Sequence, residues 1–468
     1  MKKVVALKLL VLLFHMPTNS VLAQESSESE GPLKKTASEA VQEIVNLAHA
    51  AFDFSGGVLV ARNDEIIAMA TAGTTEGKTP TAIDKDTLFE IGSCTKPFTA
   101  IAVMQLVERG KVDLDKSIAE YLPGVPENCR EITVRHLLQH TSGIPGTNSR
   151  GHGTKLERVL PLFLAGGPKK KPGTHFEYWN QGYSLLSEIV ARVSNVSYTE
   201  YCRKKIFEPA GMTNTKFTGD CAADGDTVAT GLSSYGKPRM ALEHPYGEYG
   251  YQYRGMGGIV TSLNDLWKWE RALRTEKLIN KKSMETMRDP GNFGYGLGWN
   301  VKKNSDRSII QKHTGSVRGF VCGLWRYPAS ESCIFVLTNR DNAMPMELVA
   351  SGCQKVLNGN LAPFALPKPL EDSLQRSISG EYVDSKSRKM TVSCKNGVTS
   401  AKIFWGGPVS NGLLAQANDE TVNFYLAKSL SPLTFKIDAP VKVNRKNNGS
   451  VRSLILEVNE SKLIFTKK

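Results

Sequence analysis

The placement of strand-like runs constrains this chain most. Gly56-Gly57-Val58-Leu59-Val60-Ala61 and Ile66-Ile67-Ala68-Met69-Ala70 read as two strands of a hairpin, linked by Arg62-Asn63-Asp64-Glu65. A helical pattern precedes them over 39–51. The next strand-like runs come only at Gly296-Leu297-Gly298-Trp299-Asn300, 319–325 and 332–337, with Tyr327-Pro328-Ala329-Ser330 as a turn between the last two. Between these groups, to about Arg274, the chain is mostly helical pattern and Gly- and Pro-containing loop. Strands, then helices, then strands are most simply buried as one antiparallel sheet completed by both chain halves and covered by helices. The expected class is therefore α/β (α+β): an antiparallel sheet flanked by helices, with a helical insert.

The texture changes after Leu361-Ala362-Pro363-Phe364-Ala365-Leu366-Pro367-Lys368-Pro369, a Pro-rich stretch without periodicity. Short alternating runs follow, at 380–383, 390–393, 401–404, 422–425, 433–436, 454–456 and 463–465, separated by Asn, Gly and Asp turns. They predict a small all-β domain, a barrel. With 468 residues the chain is long enough for such a second domain. The expected division is a signal peptide at 1–23, a flexible linker at 24–36, a main domain at 37–360, a linker at 361–376 and a C-terminal β domain at 377–468.

Met1-Lys2-Lys3, the apolar run from Val4 to Phe14 and Val21-Leu22-Ala23 carry the signal-peptide reading, and the run is too short to span a bilayer. Export, to periplasm or medium, with no transmembrane anchor after cleavage, is the expectation. Loss of Lys2, Lys3 and Lys8 would lower the net charge from +13 to +10. The only dense basic run, Lys169-Lys170-Lys171, sits between prolines and reads as a solvated loop. No nucleic-acid-binding motif is present. Eight dispersed cysteines permit disulfides in an exported chain but do not make a disulfide scaffold. No Cys-x-x-Cys or His-Glu-x-x-His spacing occurs, so neither metal nor cofactor is expected.

Ser93-Cys94-Thr95-Lys96 opens a stretch in which Phe98, Ile101, Ala102, Gln105 and Leu106 recur at helical spacing. Residues three apart share a helix face, so the Lys96 amine can reach the Ser93 hydroxyl and accept its proton. Near a helix start the Ser93 N–H lacks an intrahelical partner and could face an oxyanion. Pro97 fits because it falls in the first turn. Cys94 points away from that face and reads as a small core residue. The spacing alone is weak evidence, since Ser234-Tyr235-Gly236-Lys237 repeats it in a loop.

Tyr178-Trp179-Asn180 lies in a loop before a helix with Leu185, Leu186, Ile189, Val190 and Val193 on its apolar face. A tyrosine close to Lys96 would have its phenolate favoured by the cation and could shuttle a proton. Asn180 could bind substrate, hold Lys96, or simply cap the helix. His313-Thr314-Gly315-Ser316 opens a strand-like run ending in Gly319-Phe320-Val321. Gly315 would admit close approach of a substrate, and the Ser316 N–H could complete an oxyanion hole; a polar turn is the equal alternative.

Together, in this order, the three motifs resemble the class C β-lactamase-like serine hydrolases, relatives of penicillin-binding proteins. The flanking text is similar too, including Leu137-Leu138-Gln139-His140-Thr141-Ser142-Gly143 and Gly257-Gly258-Ile259-Val260-Thr261-Ser262, and the likeness runs from about Ala40 to about Leu357. The resemblance implies acyl transfer on an amide or ester bond, with Ser93 as nucleophile and Lys96 and Tyr178 sharing the general-base work. The N–H groups of Ser93 and Ser316 would hold the oxyanion, and Asn180 would orient the substrate amide. His313 would steer the Tyr178 proton or bind a substrate carboxylate. Many β-lactamases of the family carry Lys at the third motif. His313, only partly charged near neutral pH, therefore points toward peptidase or esterase chemistry, with β-lactamase and a non-catalytic penicillin-binding-type sensor as alternatives. The partner implied is a small-molecule or peptide substrate, and the C-terminal β domain resembles the lipocalin-like appendage of some relatives.

Overall fold

Asn63 adopts the left-handed conformation (φ 54°) that a two-residue hairpin turn demands. It joins β1 (Gly56–Arg62) to β2 (Glu65–Ala72). The structure is a computed structural model describing residues 35–148, 151–233, 236–361, 370–395, 398–404, 409–416, 421–426, 439–445, 451–458 and 461–468. The signal peptide expected at 1–23, most of the linker expected at 24–36, the Pro-rich residues 362–369, Ser234-Tyr235 and the strand expected at 433–436 lie outside the described residues.

Four more strands, β3 (Asn300–Lys303), β4 (Ile309–Val317), β5 (Phe320–Tyr327) and β6 (Ser332–Thr338), complete an antiparallel sheet of order β2-β1-β6-β5-β4-β3. The two chain halves meet where β1 pairs with β6, Val58 opposite Val336 and Leu59 opposite Phe335. That central place, covered on both faces, is why β1 reads as an unbroken apolar run. Two expectations are corrected. Residues 296–299 are not strand; Gly298 (φ 81°) turns there against the helix below, where a Cβ would lie 2.9 Å from the Ala100 Cβ. The third motif does not open a run through Val321 but lies inside β4, and the chain reverses at Arg318-Gly319.

Helices α1 (Ala37–Phe52), α2 (Lys96–Glu108), α3 (Asn180–Ser194), α4 (Leu263–Arg274) and α5 (Ala343–Leu357) accompany the sheet. Helix α2 is buried on every side from Lys96 to Leu106, so it has no polar face and forms the centre of the molecule's main core. Phe98 on α2 stacks on Trp269 of α4 with ring centroids 4.3 Å apart. A helix with no wet face is a rigid mount for whatever stands at its N-terminus.

Val41–Asn360 make one compact unit, and Leu361–Lys468 belong to a second. In the second, eight antiparallel strands from Gly380–Val383 to Ser461–Lys467 follow one another in sequence order and close into a barrel, the first pairing with the last. Strands Val409–Gln416 and Ala439–Arg445 went unanticipated, and Asp372–Ile378 is helix where a linker was expected to continue. Ile378, Tyr382, Leu454 and Phe465 centre its core. All eight cysteines are free. Among the described residues no helix is long and apolar enough to cross a membrane.

Candidate active site

Ser93 is half-buried while every other residue from 91 to 100 is buried, so the turn before α2 offers one side chain to the outside. That turn is a 3₁₀ helix, Gly92–Thr95, which passes directly into α2 with Pro97 in its first turn. Gly92 holds a positive φ of 48° to make the entry. Behind it the buried Glu90 carboxylate accepts hydrogen bonds from the Arg239 guanidinium and the Tyr253 hydroxyl, fixing the strand that leads into the turn. Cys94 is buried, as expected, with its thiol 3.5 Å from the His313 carbonyl.

Lys96 is fully buried, and its Nζ donates to three oxygens: Ser93 Oγ at 3.1 Å, Asn180 Oδ1 at 2.8 Å and the Met256 carbonyl at 3.2 Å. No carboxylate of a described residue pairs with it. Burial without a counter-charge pushes its pKa down to about 7. Of the roles left open for Asn180, holding Lys96 is the one its amide performs here. The Met256 carbonyl carried no sequence signal, because any residue type supplies the same backbone oxygen.

Tyr178 neighbours Ser93, and its ring centroid is 4.9 Å from Lys96 Nζ. Burial raises its pKa above the usual phenol range, and the nearby Ser93 hydroxyl only partly opposes this. The expectation of a favoured phenolate is thus corrected: desolvation by burial favours the neutral phenol. The ring is set by His140. The His140 carbonyl accepts from the Glu177 N–H at 2.9 Å and its Nδ1 accepts from the Trp179 N–H at 3.1 Å, one bond on each side of Tyr178. The imidazole also packs against the Tyr178 ring, tilted by 38° with centroids 4.1 Å apart. Sequence assigns His140 no role, because its buried, left-handed conformation (φ 57°) carries no local sequence signal.

His313 is buried, and both ring nitrogens are occupied: Nδ1 donates to the Thr314 carbonyl at 2.8 Å, and Nε2 accepts from the Tyr295 hydroxyl at 3.0 Å. Burial, reinforced by Lys96, pushes its pKa down to about 3. Partial charge near neutral pH and a role in binding a substrate carboxylate are therefore corrected: this ring is neutral and fully engaged. Gly315 is corrected as well. A Cβ there would lie 2.0 Å from the Ile91 carbonyl oxygen and 3.1 Å from the Ser93 N, so it is the turn before α2, not a substrate, that packs against Gly315. Across the same contact, a Cβ on Gly92 would lie 3.2 Å from the Ser316 N. The Ser93 and Ser316 backbones thus lie on either side of the Gly92–Gly315 contact. Gly315→Ala is expected to destabilise the protein by about 1–3 kcal/mol through this overlap, read as a lowered thermal midpoint; an unchanged midpoint would contradict the close approach.

The family model described as Beta-lactamase matches residues 45–351. Penicillin-binding protein 4* of Bacillus subtilis is 27% identical over 69% of this chain and 76% of its own length. The putative penicillin-binding protein PbpX of the same organism is 35% identical over 54% of this chain, which spans 63% of that relative. Among solved structures, the octameric penicillin-binding protein homologue from Pyrococcus abyssi superposes with a TM-score of 0.61 at 24% identity, covering 91% of this chain and 99% of that one. A penicillin-binding protein from Bacillus halodurans gives 0.57 at 26% identity, covering 68% and 98%. The D-amino acid amidase of Ochrobactrum anthropi gives 0.57 at 22% identity over the same shares and shares the fold.

Proposed function

We propose that this chain, which belongs to the beta-lactamase family of penicillin-binding-protein-like serine hydrolases, uses Ser93 to open an amide or ester bond through an acyl-enzyme. The observation that carries the reading is a buried amine with no counter-charge, held 3.1 Å from the Ser93 hydroxyl and poised near neutrality. A protonated amine could not act as a base; one titrating near pH 7 is in large part free to do so.

In this reading the neutral Lys96 takes the Ser93 proton as Oγ attacks the substrate carbonyl carbon. The carbonyl oxygen becomes an oxyanion between the N–H groups of Ser93 and Ser316, a type of contact worth about 3 kcal/mol per donor in the transition state. Tyr178, kept a phenol by burial, gives its proton to the leaving amine or alcohol and is reprotonated from Lys96. Water then attacks the ester by the reverse proton path, freeing the acid and restoring Ser93. Asn180 holds Lys96, leaving its amide N–H₂ to orient the substrate.

The amide-cleaving branch, on D-amino-acid peptides or amides, is favoured by the names of the relatives and by the Tyr178-x-Asn180 motif of class C-like members. Export is proposed from residues 1–23 and would place the enzyme where cell-wall peptides lie. β-Lactam hydrolysis is the alternative, weakened by the neutral His313 at the third motif. The test is intact-mass spectrometry after exposure to a fluorescent penicillin, with cleavage of a D-alanyl-D-alanine peptide and of a p-nitrophenyl ester followed in parallel. An adduct on Ser93 with peptide cleavage supports the peptidase reading; ester turnover alone makes it an esterase. Rapid lactam turnover makes it a β-lactamase, and silence on all three overturns the enzymatic reading.

A further inference from the structure

At the end of β5 farther from Ser93, α4, the short helix Lys281–Arg288 and β5 enclose a cavity of about 290 Å³. Arg326, which lines it, lies five residues along β5 from Val321, the residue opposite Ser316, about 17 Å by strand rise. The cavity is therefore separate from the acyl-transfer site. Glu270 and Arg274 of α4, Arg326 of β5 and Arg288 of the short helix set three guanidiniums against one carboxylate in it. Leu273, Ile279 and Met284, all buried, supply an apolar wall. The exposed Glu276, Lys281 and Glu331 stand at the rim, where solvent and salt screen their charges.

That carboxylate is already taken. Glu270 Oε1 accepts from Arg274 Nε at 2.8 Å and from Arg326 Nη2 at 3.2 Å, and Oε2 accepts from Arg326 Nε. Arg288 forms no hydrogen bond and no ion pair with a described residue, and its Nε is buried without a partner. The carboxylates of Glu270 and Glu285 act on it only from beyond ion-pair distance. Arg274 Nη2 is likewise buried and unpartnered. Burial, reinforced by Arg326, pulls the Arg288 pKa down to about 10, so the guanidinium is still a cation near neutral pH. A buried charged donor without an acceptor costs stability. Two arginines with such donors line one cavity, whose volume is that of a small-ligand pocket.

We propose that this cavity is a second ligand site, for a dianionic phosphate group carried free or on a small organic alcohol, and that Arg288 and the unpartnered edge of Arg274 hold it. A carboxylate has two oxygens in one plane and is satisfied by a single guanidinium fork. A phosphate presents three acceptor oxygens around a tetrahedron and can be met by guanidiniums from different elements at once. The excess of guanidinium over carboxylate in the cavity matches its second negative charge. The room left beyond a phosphate, walled by Leu273, Ile279 and Met284, suits a compact apolar group esterified to it. The proposal concerns binding at a place distinct from Ser93, so it does not depend on the acyl-transfer reading.

The experiment titrates the full chain in Tris chloride at about pH 8, where a phosphate monoester carries two charges, by calorimetry and by thermal shift. The probes are inorganic phosphate, phenyl phosphate and phenyl sulfate, the last having the shape of phenyl phosphate with one charge fewer. Phenyl phosphate should bind about tenfold more tightly than phenyl sulfate, the scale of one further charge-assisted hydrogen bond. Phenyl phosphate binding more tightly than inorganic phosphate identifies an ester as the ligand, and the reverse order identifies free phosphate. Arg288→Met should weaken phosphate binding by about tenfold or more. It should not lower the thermal midpoint of the ligand-free protein, because it removes a cation that no residue pairs with. Arg288→Lys should keep part of the affinity, since a point charge replaces the fork. No binding up to about 20 mM, well above the millimolar range in which a small anion on two arginines should bind, overturns the proposal. So does phosphate affinity that survives Arg288→Met, or equal affinity for phenyl phosphate and phenyl sulfate.

Discussion

Ser93→Ala is expected to abolish covalent labelling by acylating probes and to lower turnover by about a thousandfold or more, the scale of nucleophile deletions in other serine hydrolases. The fold should be untouched, because Ser93 Oγ is the half-exposed end of a turn whose backbone is held elsewhere. Gly92 keeps its left-handed entry, Gly315 keeps its contact with Ile91, and Glu90 keeps Arg239 and Tyr253. Intact-mass spectrometry and a thermal melt on the same sample measure both parts. An adduct of equal yield on the variant would remove Ser93 from the mechanism. Loss of labelling together with loss of the fold would mean that the hydroxyl is structural.

The second large effect lies in the pH dependence. A lysine in water titrates near pH 10.4, whereas burial brings Lys96 to about 7. Activity that needs the neutral amine should therefore rise with pH through a midpoint near 7 in kcat/KM, which reports the free enzyme. Lys96→Arg keeps the charge but cannot lose a proton. It is expected to lose about two to four orders of magnitude, the usual contribution of a general base, with no recovery at higher pH. A flat wild-type profile from pH 5 to 9 would exclude Lys96 as the base. Stability carries the same signature. The folded pKa of Lys96 lies below its unfolded value, so between about pH 7 and 10 the unfolded chain binds more protons, and this group's contribution makes stability increase with pH across that window. Below pH 7 both states are protonated and the cost of burying the cation is fully present. Lys96→Met should flatten that part of the stability curve, as chemical denaturation at pH 6, 8 and 9.5 would show.

Much of this was written locally. The β1–β2 hairpin was legible from its two strand-like runs and from the link that holds the Asn63-Asp64 turn, and the turn before α2 from the Ser93/Lys96 spacing with Pro97 in the only part of a helix that tolerates it. The C-terminal β domain was legible in six of its strand runs. Val409–Gln416 and Ala439–Arg445 were missed because Asn411, Gly412, Pro440 and Asn444 read as breakers, while the ladder hydrogen bonds of a closed barrel override weak local preference. Residues 296–299 looked like strand from their apolar and aromatic content, yet Gly298 can approach Ala100 only by leaving the sheet geometry.

What the sequence by itself determined is which residue types could do the chemistry: a serine and an amine one turn apart, a Tyr-x-Asn pair, a His-x-Gly segment, and a hydrophobic order that folds both chain halves into one sheet. These are properties of neighbours along the chain, and spacing encodes them. Tertiary structure alone decided the charge states. Whether Lys96 is a base, Tyr178 a phenol and His313 neutral depends on desolvation and on partners such as the Met256 carbonyl, Tyr295 and His140, which lie between 18 and 160 residues away from the groups they touch. A pKa is set by the dielectric and the charges within a few ångströms, and no one-dimensional pattern specifies which distant residues will supply them.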